Sequence, residues 1–376
     1  MKNWNLKYSI LIWVIWMVAI FTLSRTLIDR IPFGEPNSLS TQTNDLSIWT
    51  NWDGNNYIVI AREGYSNLGD QFFAFFPLYP LLIRIIRFTF NISYPYAGII
   101  ISRVSILLAI IFLIKLIEQD FPKKIAYRTA WYLLIFPTSF FFFATYTEGL
   151  FLFINLATWY FIKVKNYKLA FIFGFLSPLT RLLGVLMAPV ILFEYLKSID
   201  FQIKKIQIPI ITSVAPILGL GLYGLYNYYH TKDFFNFLNA QKYWSGYGRE
   251  GYNNPFVIIW NNIISSFSKF GEEGFLILGY FDLWFSLFTL FILLYVTVKK
   301  VIPISYVIWS WVFFLIPIVT GSLVSMPRYV LVLFPIFIVL AKWGDKNQYI
   351  DKLYTIISIL LLTNLLYMFI FGIWIA

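Results

Sequence analysis

The sequence predicts an all-α polytopic membrane protein, with about 11 transmembrane helices and a helical first outer loop. The chain is 59% hydrophobic and 12% charged, with a mean hydropathy of +0.72. Soluble domains carry roughly 25% charged residues, so the excess apolar surface has to face lipid. Long apolar runs recur along the chain, whereas the short alternating segments of a transmembrane barrel do not occur.

Eleven apolar runs are expected to form spans. In chain order they are 8–25, 95–117, 126–144, 148–162, 168–180, 182–197, 208–229, 275–298, 302–320, 328–341 and 352–374. Residues 8–23 could also be a signal peptide, but Arg25, Asp29 and Arg30 follow them without a small-residue cleavage site, which favours a retained span. The segment 72–90 is apolar enough for an extra span, but its two prolines and two arginines favour a broken helix at the interface.

The basic residues predict the orientation. Sixteen of the nineteen lysines fall on one side of the spans, so the N-terminus is expected in the cytoplasm and the C-terminus outside it. The arginines on the outer side or in outer halves of spans are Arg25, Arg30, Arg62, Arg84, Arg87, Arg103, Arg181, Arg249 and Arg328. Any one of them could simply reach towards lipid headgroups. Because arginine suits bidentate phosphate binding, the whole set predicts a phosphate-bearing partner on that face.

One domain over 1–376 is expected, since the chain has neither an internal repeat nor a low-complexity linker. Its two long outer segments, about 27–94 and 230–274, are of a length that usually carries function. The chain has no cysteine and one histidine, which excludes thiolate chemistry and His/Cys metal sites. No cofactor is expected, and nothing in the first loop supports a divalent metal. The net charge of +11 is accounted for by the membrane topology, so no nucleic-acid partner is expected.

A polar stretch follows the first span. In Trp52-Asp53-Gly54-Asn55-Asn56-Tyr57, Asp53 stands where a helix N-cap would, and Gly64 stands just past the helix end. This pattern predicts a short amphipathic helix at the membrane surface. Asp53 could merely cap that helix. The neighbouring rings of Trp52 and Tyr57 favour a functional role, because sugar rings stack on such surfaces.

Further motifs follow in a fixed order. They are Ala74-Phe75-Phe76-Pro77-Leu78-Tyr79-Pro80, Phe136-Pro137-Thr138-Ser139, Tyr146-Thr147-Glu148-Gly149-Leu150-Phe151, Leu179-Thr180-Arg181-Leu182-Leu183-Gly184 and Pro327-Arg328-Tyr329. With the Trp-Asp block, which is the specific one, this series resembles the PIG-V family. Its members are membrane mannosyltransferases that in eukaryotes add the second mannose to glycosylphosphatidylinositol anchors.

The resemblance implies a GT-C type glycosyltransferase that takes a sugar, here mannose, from a polyprenyl-phosphate carrier on the non-cytoplasmic face and inverts the anomeric centre. It implies that Asp53 is the catalytic residue. The substrate-binding residues expected around it are Trp52, Tyr57, Arg62, Glu148 and Tyr329. The acceptor would be a glycan, a lipid or a protein, and membrane lipids would surround the enzyme. The base composition looks prokaryotic, which would place it in the cell membrane.

The chemistry supports a single carboxylate. In a direct displacement, a general base removes the acceptor proton while the sugar leaves its phosphate. Phosphate leaves without a proton donor, so the second carboxylate of glycoside hydrolysis is not needed. Asp53 would be the base, and arginines would stabilise the charge that gathers on the phosphate.

Arg181 and Arg328 are the expected donor-phosphate ligands. Arg181 follows a Ser177-Pro178 break between two short apolar runs, and an ionisable residue in such a place is functional by default. A structural salt bridge to Glu148 is the alternative. Arg328 could instead sit at a helix start and reach to the headgroups.

Two other functions remain open from the sequence. A transporter or flippase of lipid-linked saccharides should show repeats and discontinuous helices at the bilayer midplane, whereas here the charged residues crowd one surface. A noncatalytic assembly subunit would tolerate the loss of Asp53.

Overall fold

The computed structural model describes residues 2–28, 46–247, 254–268, 275–373 and 375. Within these residues the chain forms helices and turns and contains no strand, which confirms the all-α prediction. Arg30, Arg249 and parts of both long outer segments lie outside the described residues. The α-helices are α1 Lys2–Ile28, α2 Asp53–Glu63, α3 Leu78–Phe90, α4 Tyr94–Ile117, α5 Lys123–Leu134, α6 Glu148–Lys163, α7 Tyr167–Thr180, α8 Met187–Ser198, α9 Ala215–Thr231, α10 Asn236–Asn239, α11 Pro255–Ser268, α12 Phe275–Lys299, α13 Ile304–Val319, α14 Met326–Val332, α15 Phe334–Lys346 and α16 Gln348–Ile370.

In the described part of the chain, five helices are long and apolar enough to cross a membrane. They are Asn5–Ile28, Tyr94–Ile117, Ile208–Thr231, Tyr280–Lys299 and Gln348–Ile370. A sixth is added if α14 and α15, which meet at a bend of 72°, count as one broken span. This is a multi-pass helical pattern with fewer long helices than the eleven predicted runs. Several of those runs are short apolar helices instead, such as α7 and α13.

The predicted span 126–144 shows why the numbers differ. Helix α5 ends at Leu134, and a single 3-10 turn over Ser139–Phe142 follows. The residues from Ile135 to Ala144 are buried all the same. Hydropathy reports burial and cannot tell a buried irregular segment from a spanning helix. The helix stops there because Pro137 lacks the backbone N–H and disfavours helical geometry in the residue before it.

The described residues form two compact units, each assembled from separated parts of the chain. The first comprises 1–64, 79–153 and 341–375. In it, α5 is tied to the C-terminal helices by ion pairs: the Arg128 guanidinium lies 2.6 Å from Asp345 and 3.3 Å from Asp351. The Tyr132 hydroxyl also donates to Asp351, at 2.5 Å. Hence this unit is closed by a part of the chain more than 200 residues from α5 in sequence.

The second unit comprises 65–78 and 154–340. Its centre is the packing of α7 against α9. The Tyr223 hydroxyl on α9 reaches the backbone oxygens of Phe73 and Phe75, at 2.8 and 3.1 Å. This contact fixes the segment 65–78 on the helices of its own unit. The single domain expected over 1–376 stays a prediction.

Candidate functional site

Asp53 follows a strained turn in the first unit. Trp52 has φ 58° and ψ −123°, the angles of the first central residue in a type II′ turn, which strongly favours glycine. The turn is closed by the Gly54 N–H, which donates to the Asn51 oxygen at 3.1 Å. A bulky residue in this region is a genuine outlier that stores about 1–3 kcal/mol and marks candidate functional positions. The Trp52 side chain is 38% exposed.

Helix α2 runs over Asp53–Glu63 and corrects the prediction of an Asp53 N-cap. Asp53 is the first helical residue, and Trp52 occupies the cap position without a side-chain cap bond. The turn itself supplies acceptors for the first amides, since the Asn55 N–H also donates to the Trp52 oxygen at 3.1 Å. The end of the helix agrees with the prediction: Gly64 has φ 78°, and its N–H donates to the Ile60 oxygen.

The turn is braced by a buried segment distant in sequence. The Thr145 N–H donates to the Trp49 oxygen at 2.8 Å, and the Tyr146 hydroxyl donates to the Asn51 oxygen at 2.9 Å. The Asn51 side chain reaches the Phe369 oxygen at 3.4 Å. A backbone oxygen accepts each of these bonds, so the residues before Asp53 are held by parts of the fold far away in sequence.

The opposite face of α2 packs on a polar network in the same unit. The buried Tyr57 ring meets Tyr79 edge-on, at 5.2 Å between centroids. The Tyr79 hydroxyl lies 2.6 Å from the Ser102 hydroxyl and 3.0 Å from the Gly98 oxygen, and Ser102 donates to the Tyr146 oxygen at 3.2 Å. Of the two rings predicted to frame a sugar, only Trp52 therefore offers exposed surface.

Burial raises the pKa of Tyr79 well above its ordinary value. The hydrogen bond with Ser102 acts in the other direction, and the nearby Tyr57 and Glu148 raise the pKa further. Tyr79 therefore stays a neutral hydroxyl at working pH. As a neutral hydroxyl it holds the network together through Ser102 and the Gly98 oxygen.

Glu148 and Arg62, both expected at a substrate site, have opposite surroundings. Glu148 is the first residue of α6 and is fully buried. Arg62, near the end of α2, is exposed and forms an ion pair at 2.7 Å with the exposed Glu63. Exposed pairs of this kind contribute little to stability, so Arg62 can exchange its partner readily.

The predicted phosphate ligands belong to the second unit. Arg181 lies in extended backbone between α7 and the 3-10 turn Leu182–Leu186, at the predicted junction of short helices. Pro178 does not end α7, however; the helix continues to Thr180. The Arg181 guanidinium lies over the Tyr329 ring at 5.3 Å.

Arg328 lies in the first turn of α14, which agrees with the predicted position at a helix start. Its side chain is only 4% exposed, so it is held inside the unit and does not extend to headgroups. The structure thus brings Arg181 and Tyr329 together and buries Arg328, the residue before Tyr329. Buried or aromatic-stacked arginines are typical of phosphate and carboxylate recognition.

Sequence reasoning missed the residues that support the turn. Ser102, Thr145 and Phe143, whose ring lies 4.4 Å from that of Trp49, belong to none of the sequence motifs. The signal was present in part, because Tyr79 and Tyr146 stand inside motifs quoted above. Which backbone atoms they would meet depends on tertiary packing and cannot be read from spacing.

Within the described residues, no group of three or more His, Asp or Glu side chains could hold a metal ion. No protein-family model and no curated protein matches this chain.

Proposed function

We propose that this protein is a membrane glycosyltransferase that transfers a sugar from a polyprenyl-phosphate carrier to an acceptor hydroxyl on the non-cytoplasmic face. The observation that supports it best is the strained turn at Trp52, which places Asp53 at the head of α2 on a braced support. Backbone strain of this kind is kept where it serves a function. The resemblance to the PIG-V family supports mannose as the sugar.

Asp53 is the proposed general base. It accepts the proton of the acceptor hydroxyl as that oxygen attacks the anomeric carbon, and the bond from the anomeric carbon to the carrier phosphate oxygen breaks. Because the acceptor oxygen attacks on one face of the anomeric carbon and the phosphate leaves from the opposite face, the configuration at that carbon is inverted. Proton transfer to a positioned carboxylate contributes about 10²–10⁴-fold to a rate.

The donor phosphate is assigned to Arg181 and Arg328. As the sugar leaves, negative charge gathers on the phosphate, and cations that meet it there stabilise the transition state more than the ground state. The Tyr329 ring under Arg181 limits the rotation of that guanidinium, which lowers the entropy lost on binding.

Trp52 is the proposed stacking surface for the sugar, since its ring is partly exposed and adjacent to Asp53. Tyr57, on the buried face of α2, packs against Tyr79 and so holds the helix in place. Arg62 and Glu148 complete the proposed substrate-binding set, Arg62 as an exposed cation and Glu148 as a buried carboxyl group.

The decisive experiment compares sugar transfer by the purified wild type and by Asp53→Asn, with a polyprenyl-phosphate sugar as donor. Transfer should fall about 10²–10⁴-fold. Asp70→Asn is the matched control, because Asp70 also opens a helical turn in the same outer segment and is exposed; its rate should match the wild type. Equal transfer rates for the wild type and Asp53→Asn would refute the role of Asp53 as general base. If the protein instead moves the intact lipid-linked sugar across the membrane of a vesicle and transfers no sugar, the alternative function of a flippase is favoured.

A further inference from the structure

One arginine lies inside an apolar helix and has no role in the site described so far. Arg103 is nine residues along α4 from Tyr94, which places it about 13 Å from the start of that helix. Helix α4 is one of the five that are long and apolar enough to span a membrane. An arginine at this depth is costly and in membrane proteins marks a functional position.

The Arg103 side chain lies against an aromatic ring. Its guanidinium carbon lies 3.7 Å from the centroid of Phe143. Its Nε is buried, and in the part of the chain that the structure describes no atom accepts a hydrogen bond from it. The backbone oxygen of Arg103 is engaged, since the Trp13 indole donates to it at 3.0 Å. The side-chain Nε–H is therefore available to donate to a ligand.

The Phe143 ring connects Arg103 to the turn that carries Asp53. Phe143 is fully buried, and its centroid lies 4.4 Å from that of Trp49. Trp49 stands four residues before Asp53, and its backbone oxygen accepts the brace from Thr145. The arginine is therefore held by the same aromatic packing that holds the turn.

The ligand has to be an anion that can enter from the lipid side. Arg103 is half-buried, and its neighbours on the helix, Ile100 and Val104, are exposed. The surroundings do not favour a well-hydrated small ion, because the Phe143 ring and the exposed side chains of Ile100 and Val104 are apolar. A phosphate ester on an apolar chain satisfies both the charge and the surroundings, and a guanidinium binds it through two parallel hydrogen bonds.

We infer that Arg103 binds the phosphate group of a lipid that lies along α4. That the lipid is the polyprenyl-phosphate carrier rests on the proposed function; that it carries a phosphate does not. On this view the first unit has a phosphate-binding residue of its own, in addition to Arg181 and Arg328 in the second unit.

Native mass spectrometry of the purified full chain in detergent tests the inference with three lipids: a polyprenyl phosphate, the neutral polyprenol of the same length, and phosphatidylglycerol. The wild type should retain the polyprenyl phosphate in preference to the polyprenol. Arg103→Gln should weaken that binding about tenfold or more, as expected for the loss of charge-assisted hydrogen bonds. Arg87→Gln is the matched control, because Arg87 already has an acceptor in Asn91 at 3.0 Å; it should bind as the wild type does.

Arg103→Lys keeps the charge without the bidentate geometry, so it should bind the polyprenyl phosphate more weakly than the wild type does. This comparison tests the site even if Arg103→Gln does not fold. Weakened phosphatidylglycerol binding in Arg103→Gln, with unchanged binding of the polyprenyl phosphate, would support a lipid-phosphate site and overturn the carrier as its occupant. Unchanged binding of both lipids in a folded Arg103 variant would overturn the inference. Asp53→Asn should bind the carrier normally while failing to transfer, so a failure of the proposed function is seen separately.

Discussion

Replacing Trp52 by glycine and by alanine isolates the strain in the turn before Asp53. Both changes remove the ring, so they differ only in how well the new residue tolerates φ 58° and ψ −123°. In an ordinary element, alanine is more stable than glycine by about 0.5–1 kcal/mol. At Trp52 the order should invert, because an L-residue there stores about 1–3 kcal/mol that glycine does not. We expect Trp52→Gly to exceed Trp52→Ala in free energy of unfolding by about 1 kcal/mol.

The measurement is thermal or denaturant unfolding of the purified chain in one detergent. Asn55 provides the matched pair, since it is exposed and lies within the same helix. There Asn55→Ala should be the more stable variant, by about 0.5–1 kcal/mol. The same variants also separate two roles of Trp52 in transfer. If the ring matters, both Trp52 variants lose activity alike; if the backbone matters, the glycine variant keeps more. An alanine variant as stable as the glycine variant would refute the strain.

Two further changes test the supports of the site. Tyr79→Phe removes a buried hydroxyl that contacts Ser102 and the Gly98 oxygen, and it should lower the free energy of unfolding by about 1–3 kcal/mol. The control is Tyr96→Phe, on an exposed face of α4, which should change the free energy of unfolding by less than about 0.5 kcal/mol. Equal effects of the two changes would show that the network does not stabilise the fold. Gly184→Ala would place a Cβ 2.2 Å from the Ser177 carbonyl carbon and should destabilise the junction at Arg181, as unfolding midpoints would show. Gly221→Ala, where nothing lies within 4 Å, should be neutral or stabilising by up to about 1 kcal/mol, and matching losses at both glycines would contradict the close contact.

The sequence was sufficient for local features and insufficient for those that depend on tertiary contacts. Helix α2 and its end at Gly64 were predictable, because glycine at a helix terminus has a local physical reason. The cap was predicted one residue late, because the turn at Trp52 is stabilised by a hydrogen bond from Tyr146, almost a hundred residues away.

The spans show the same limit. An apolar run reports that residues avoid water, whether they face lipid or protein. Helices α1, α4 and α16 were found near their predicted ranges, because long uninterrupted runs have few alternatives. The segment after α5 was mistaken for a span, because its phenylalanines are buried by other parts of the first unit. Arg103 was noted as one of several outer arginines, but only the structure shows its contact with Phe143 and the absence, among the described residues, of an acceptor for its Nε.

The brace between Asn51 and Phe369 has a consequence for biogenesis. A ribosome makes the Asp53 turn early, but the residues that hold it are made later: Tyr146 comes 95 residues after Asn51, and Phe369 lies in α16. The first unit cannot be completed until all of 154–340 has been synthesised. A nascent chain would therefore carry the turn without its contact to Phe369 until α16 has been made, and only then would all the hydrogen bonds around Asn51 be complete.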